Sequence, residues 1–444
     1  MPESTTMAVR SGSEHLAALI SRDIDLTTAI DIVAVCDVSL QPIFSFFLDK
    51  VDCPLITPYD EVNWSHMKQD LVELGSSCPA IASSISALST LYRSQLFNLP
   101  SSSHAVSLYN SAKLAYQTLL NDRKQDFSVT LAVIFLLCLF EVVHYETTPI
   151  LKEPGDILLN RLSEWTQTQT QFSSRSSRII AWLRLLHAST VRGGGMGLIS
   201  DAVVHLLPDC KLMSTGNSSD KVTLRASTQI YDVLSAPIFD FYSKLQGISG
   251  QIAKLTHYHR SRATGIDQEE VAQKIADITS QLHGLWESRC PTQRQTPEEL
   301  RACLAPTIAE SLIKLIGVCA AAYYSEFIEV HRVLRDPTSE SLDSQNARIE
   351  IRRIIGEDWN AYEDGGKLNP GYLRPLFLCA IEGVTEEEVR WAVERLEEIK
   401  NPISRSEFFA CFGRALSAAQ LQRGRRVTSK YFCIWQFGVS PPFL

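Results

Sequence analysis

The chain has 444 residues, 45% of them hydrophobic and 21% charged, with 21 glycines and 19 prolines. That is enough apolar material for a large core, and too little glycine, proline and charge for a disordered, collagenous or low-complexity chain. Acidic residues (50) outnumber basic ones (42), a formal charge of −8. Nucleic-acid binding by this chain would therefore need a concentrated basic face, because phosphate neutralisation supplies most of such affinity.

Residues 1–24 form a mixed, polar amino end that includes Glu14, His15 and Asp23. This stretch has neither the apolar segment of a secretory signal nor the arginines of a transit peptide, and the expectation is a soluble, intracellular protein. Residues 25–440 read as one helical domain. Ile81, Ile85, Leu88 and Tyr92 recur at steps of a helical face. After the serine-rich start at Ser101, Ala105, Leu108, Ala112, Tyr116 and Leu119 do the same. The most apolar window, Leu131 to Phe140, is followed by Glu141. A bilayer crossing takes roughly 20 apolar residues, so a buried core helix is predicted here. A helix with Trp182, Leu183, Leu185 and Leu186 then runs into Gly193, Gly194, Gly195 and Gly197, a tight turn built on positive φ.

Further on, Thr296, Pro297 and Glu299 give an N-cap, a proline in the first turn and an acid near the positive helix end. From Pro306 an apolar pattern runs through Leu312, Leu315, Cys319, Tyr323, Phe327 and Val330 to Leu334, ending at Asp336-Pro337. It is apolar on too many sides to be anything but a central, largely buried helix. Thr385 with Glu388 is a capping box, and Val389, Ala392, Val393, Leu396 and Ile399 form the apolar stripe behind it. Loops are predicted at 52–59, 214–220, 288–295, 336–343 and 363–371. No run of strict alternation points to strands, so the expected fold is all-α, a single large multi-helix domain.

Chemistry is sparse. Of 11 cysteines the closest pair is Cys290 and Cys303, far wider than the two- or three-residue spacing with which one turn presents two thiolates to a zinc ion. No metal and no cofactor are expected. The glycine cluster is followed by Leu198 and Ile199 instead of the Lys-Ser or Lys-Thr of a phosphate loop. Gly247-Ile248-Ser249-Gly250 has Gln251 where a nucleophile elbow needs glycine. His257 and His259 could share a metal only on an extended chain. Glu141 and Glu146 close the most apolar helix, where desolvation raises a carboxyl pKa; Arg161 and Arg184 are candidate partners. His144 and His187 flank apolar stripes. Together with Trp182, the residues Glu141, His144 and His187 are the candidates for lining a cleft, with no catalytic assignment. The basic stretch Arg423, Arg425, Arg426 and Lys430 reads as a solvated helix end, with a DNA contact or a nuclear-import signal as the alternative.

Four segments resemble one family. Leu131 to Glu141 looks like the core helix of the fungal-specific transcription factor domain, the regulatory domain of fungal zinc-cluster transcription factors. The stretch Y-N-S-A-K-L-A-Y-Q-T-L-L from Tyr109 resembles the helix before it. Ala181 to Leu198 resembles the family's Trp-containing helix running into a Gly-Gly turn, and Arg374 to Leu396 its closing Pro-Leu-Phe segment with the charged helix after it. The chain departs from the family where Leu158, Leu159, Leu162 and Trp165 replace a Trp-x-x-His pattern, and it carries no binuclear zinc cluster. The resemblance implies a nuclear transcriptional regulator or co-regulator, without strong direct DNA binding by this chain, that binds a small-molecule effector, other transcription regulators or a second copy of itself. Its setting would be a fungal secondary-metabolite gene cluster. Lacking the zinc cluster, the chain would act as co-regulator or antagonist, or come from a gene model truncated at its start. A different class of function is an enzyme or small-molecule-binding protein recruited from this fold, with Glu141, His144 and His187 as its first residues to test. No membrane association is expected.

Overall fold

The most apolar stretch of the sequence becomes a helix in which only Val129 escapes full burial. A computed structural model of the protein describes residues 40–52, 60–97, 103–144, 149–169, 171–192, 197–208, 226–261, 265–334, 341–360, 368–401 and 404–439. These form 18 α-helices and no strand. The fold is all-α. Helix α1 (Gln41–Lys50) belongs to a first compact unit ending at Val51, and a second begins at Asp52.

The second unit opens with α2 (Glu61–Gly75), α3 (Pro79–Leu96), α4 (Ser103–Asn121), α5 (Phe127–Val143), α6 (Asp156–Thr168), α7 (Ser174–Arg192) and α8 (Asp201–Leu206). Here α5 is central, packed by α3, α4 and α7. The serine-rich α3 faces this core with two of its buried hydroxyls satisfied within the helix: Ser84 and Ser86 each donate to the carbonyl one turn back, at 2.8 Å. At the far end of α5 the Val143 carbonyl accepts from the Arg405 guanidinium at 2.6 Å, filling one of the acceptors that every helix C-terminus leaves open.

Next come α9 (Ala226–Ser261), α10 (Gly265–Glu287), α11 (Pro291–Arg294), α12 (Pro297–Cys303), α13 (Pro306–Leu334), α14 (Leu342–Asn360), α15 (Leu373–Glu382), α16 (Glu386–Glu398), α17 (Ser406–Arg423) and α18 (Ser429–Phe437). The long helix predicted from Pro306 is the hub, with α9, α10, α12, α14 and α15 packed around it. Helix α7 touches both α5 and α9 and so joins the two hubs. Thr296 caps α12 in a full capping box. At α16 the predicted box is altered. Thr385 accepts from the Glu388 N–H at 3.2 Å, but the Glu388 carboxylate returns to the Val384 N–H at 3.0 Å and also receives Arg348. The predicted loop 288–295 contains α11, which Pro291 starts by fixing φ at the first helical position. The segments 214–220 and 193–195 lie outside the described residues.

By length and hydropathy α13 could cross a membrane, yet 61% of its most apolar window is buried inside the protein. It also carries ionised groups into the interior. Glu326, 0% exposed, holds Arg374 of α15 by two bonds of 2.7 and 3.1 Å. Arg332 pairs with Glu382 at the end of α15, and the same carboxylate takes Arg426 at 3.0 and 3.1 Å from Nε. Arg426 also reaches His331 Nδ1 at 2.8 Å.

This corrects the reading of the basic stretch as solvated. Arg423 and Arg425 are exposed, but Arg426 is only 7% exposed. Gly424, at φ 61, ends α17 in the left-handed conformation and turns the chain back. The Val427 N–H then donates to Gln420 Oε1 at 3.0 Å, and Arg426 enters the interior. Stripping one partner from a buried pair leaves the other charge uncompensated. Arg426→Ala is therefore expected to lower unfolding free energy by about 3–5 kcal/mol, and Arg425→Ala to stay within about 0.5 kcal/mol of the parent. Urea denaturation of the two variants measures both; equal effects would contradict the burial described here.

Candidate functional site

One face of α13 opens onto a cleft of about 820 Å³, within the size range of small-molecule sites. Ile313, Gly317, Ala320 and Tyr324, at steps of four, three and four, form its floor together with Ile316. Gly317 keeps the helix close to its neighbour: a Cβ there would lie 3.0 Å from the Tyr372 hydroxyl, tighter than ordinary contact. That hydroxyl hydrogen-bonds Asp358 of α14, and burial pushes the Asp358 carboxyl above the usual carboxylate range. Asp358 Oδ2 is buried and has no hydrogen-bond partner.

The opposite side comes from the end of α10. Trp286 stacks on Tyr323, with centroids 4.2 Å apart and planes at 15°. The Arg289 guanidinium lies 3.5 Å from the Trp286 centroid, and its Nε–H donates to the Trp286 carbonyl at 2.8 Å. Burial holds the Arg289 pKa below its ordinary value. Other charges at the cleft answer one another: Arg301 with Glu310 at 2.7 Å, and Arg353 with Glu350 at 3.0 Å and Glu357 at 2.8 Å. Among the described residues no three His, Cys, Asp or Glu side chains converge as a metal site.

The fungal specific transcription factor domain matches residues 42–417 of this chain. The chain belongs to that family. No curated protein and no solved structure matches it. The matched region of this transcription factor domain holds both hub helices, the cleft and all four segments on which the resemblance was drawn.

Within the domain, the four residues singled out from sequence fall on α7 and at the end of α5, and none lines the cleft. Glu141 is buried; its Oε1 accepts from the Tyr109 hydroxyl at 2.6 Å and the Ile150 N–H at 2.9 Å. Neither expected arginine reaches it. Arg161 donates to the carbonyls of Leu119, Leu120 and Gln125 at 2.8–3.1 Å, and Arg184 to that of Leu207. Open carbonyls at chain reversals hold both guanidiniums, leaving the carboxyl to a tyrosine. His144 ends α5 with its ring stacked on Phe140, 5.7 Å between centroids. Glu146 lies outside the described residues.

Trp182 is 1% exposed and packs against Phe135 at 5.8 Å and Trp64 at 6.2 Å, filling the junction of α2, α5 and α7. His187 Nδ1 accepts from the Ile199 N–H at 3.1 Å. It also lies against Gly197, whose φ of 78 suits glycine, and where a Cβ would come within 2.7 Å of the imidazole. Burial, and then the Lys152 charge, lower the His187 pKa. Ser249 sits inside α9, in a helix and not at a strand-to-helix elbow, and receives Arg192 at 3.4 Å. The side chains of His257 and His259 lie outside the described residues.

Sequence reading missed Trp286, Arg289, Gly317 and Asp358. The available signal was the pair Gly317 and Ala320, small residues in an otherwise bulky apolar stripe. Burial pushes the Glu141 carboxyl up to about 7 from 4.5. Between those values the native state holds a proton that the unfolded chain has released, so this group's contribution to stability falls as pH rises through the window. Glu141→Gln keeps an acceptor for Tyr109 and cannot ionise. Relative to the parent, it is expected to gain on the order of 3 kcal/mol between pH 5 and pH 8, measured by urea denaturation at both. A pH-independent difference would refute the buried-carboxyl account.

Proposed function

We propose that this chain regulates transcription in the nucleus as a co-regulator or antagonist, working through protein partners and under control of a small molecule bound in the α13 cleft. Partners would be other transcription regulators or a second copy of the chain, and the setting a fungal secondary-metabolite gene cluster. Membership in the transcription factor domain family supports the regulatory half. The observation that carries the effector half is the cleft itself, walled by the hub helix and by α14. A ligand there would touch the same helix that holds α15 and the Arg426 turn by buried ion pairs. Differential contact with two arrangements of that hub is what an effector needs in order to shift a population.

Strong direct hold on DNA is not part of this function. The net charge of −8 opposes it, and Arg426 is committed to Glu382. In a salt titration with duplex DNA the purified chain is expected to bind only in the non-specific range, about 10⁻⁴–10⁻⁶ M; nanomolar, sequence-selective binding would overturn this view.

Ala320→Phe fills the cleft floor and tests the effector half. The full chain, tagged and fused to a heterologous DNA-binding domain, is placed before a reporter in a fungal host grown with and without induction of secondary metabolism. The parent is expected to enter the nucleus and to change reporter output by about tenfold between the two conditions, and Ala320→Phe to abolish that difference at equal protein level. An unchanged response in the variant would discard the cleft as effector site, and exclusion of the parent from the nucleus would discard the regulatory setting.

A further inference from the structure

The cleft carries enough chemistry to define its ligand, an inference that rests on its role as the effector site. Arg301 and Arg353 are neutralised by their glutamates, Lys314 lies in the field of Glu310 and Asp358, and Glu298 is exposed to water. Two groups are left over. Arg289 has no carboxylate within ion-pair distance among the described residues, although it is partly buried on an aromatic face. Asp358 has an oxygen out of water and without a donor. Both conditions cost free energy until a ligand supplies the missing partner.

A guanidinium laid on an aromatic ring presents a planar fork of donors that matches a carboxylate. The half-buried Asp358 carboxyl, with Oδ2 lacking a donor, accepts a hydroxyl, amine or amide N–H from a ligand that reaches it. Most of the remaining lining is apolar, with Ile313, Ile316, Ala320 and Ile354 beside Gln295 and two tyrosines. We infer that the cleft takes a largely apolar small molecule bearing a carboxylate for Arg289 and, remote from it, a hydrogen-bond donor for Asp358. A nucleotide or sugar phosphate fits poorly, because a single uncommitted guanidinium among four acidic side chains cannot balance a phosphate chain. A wholly apolar lipid would leave both leftover groups dry and unpaired.

The test uses the purified full chain and a fluorescent probe, a hydroxynaphthoic acid with its hydroxyl on the ring remote from the carboxyl. Its methyl ester and the naphthoic acid without the hydroxyl serve as comparisons. The acid is expected to bind saturably, with the ester weaker by about 10- to 100-fold, the loss of one charge-assisted contact. Arg289→Ala is expected to erase that preference for acid over ester, and Arg289→Lys to retain part of it. Asp358→Asn is expected to reduce the advantage of the hydroxylated acid over plain naphthoic acid. Thermal melting checks that each variant is folded; if Arg289→Ala is not, Arg289→Lys and Asp358→Asn carry the test.

Equal binding of acid and ester, or no saturable binding of the acid, would overturn the inference. The expected binding pattern together with an unchanged Ala320→Phe reporter response would keep the ligand class and remove the effector role. A blunted reporter with acid and ester bound equally would remove the ligand class alone.

Discussion

Everything in the carboxyl-terminal half depends on keeping ionised groups inside the protein on one long helix. Glu326 lies wholly out of water and is matched by a two-pronged Arg374. Arg332 meets Glu382, which also takes Arg426. Such pairs add little net stability compared with an apolar core, but they are unforgiving of misplacement, because each charge is tolerable only with its partner in position. They therefore dictate the register of α15 against α13, and they force the chain after Gly424 to fold back. An apolar helix as long as α13 could slide against its neighbours; a helix bearing Glu326 and Arg332 cannot do so without breaking both sets of pairs.

The amino-terminal half is built on the opposite principle. Helix α5 is buried on all sides by aliphatic and aromatic contact, with Trp64, Phe135 and Trp182 at its junction with α2 and α7. Its single buried acid, Glu141, is held by a hydroxyl and an amide N–H without an ion pair among the described residues, and its burial raises the carboxyl pKa. One hub is pinned by paired charge and the other by shape, with α7 packed on α5 and on α9, which in turn packs on α13.

The cleft gains its meaning from this arrangement. It faces the hub helix on a side away from Glu326, in a region where two small residues and Tyr372 leave room. Arg301 and Arg353 at its rim are ion-paired, whereas among the described residues Arg289 has no carboxylate partner and one oxygen of Asp358 has no donor.

Sequence alone determined what short-range rules control. Period and caps located α5, α13 and the Thr296 turn, since hydrophobic spacing and N-cap chemistry act within a few residues. The order of four family segments sufficed to identify the domain, because each segment is local. Partnership was decided only in three dimensions. Glu141 finds Tyr109 across 32 residues, Glu326 finds Arg374 across 48, and Val143 finds Arg405 across 262. No periodicity encodes such pairs, so Arg161 and Arg184 were natural but mistaken partners for Glu141, and Arg426 looked like any solvated helix end. The cleft was hidden for the same reason: Trp286, Arg289, Ala320 and Asp358 sit on separate elements, and packing around α13 is what brings them to one cavity.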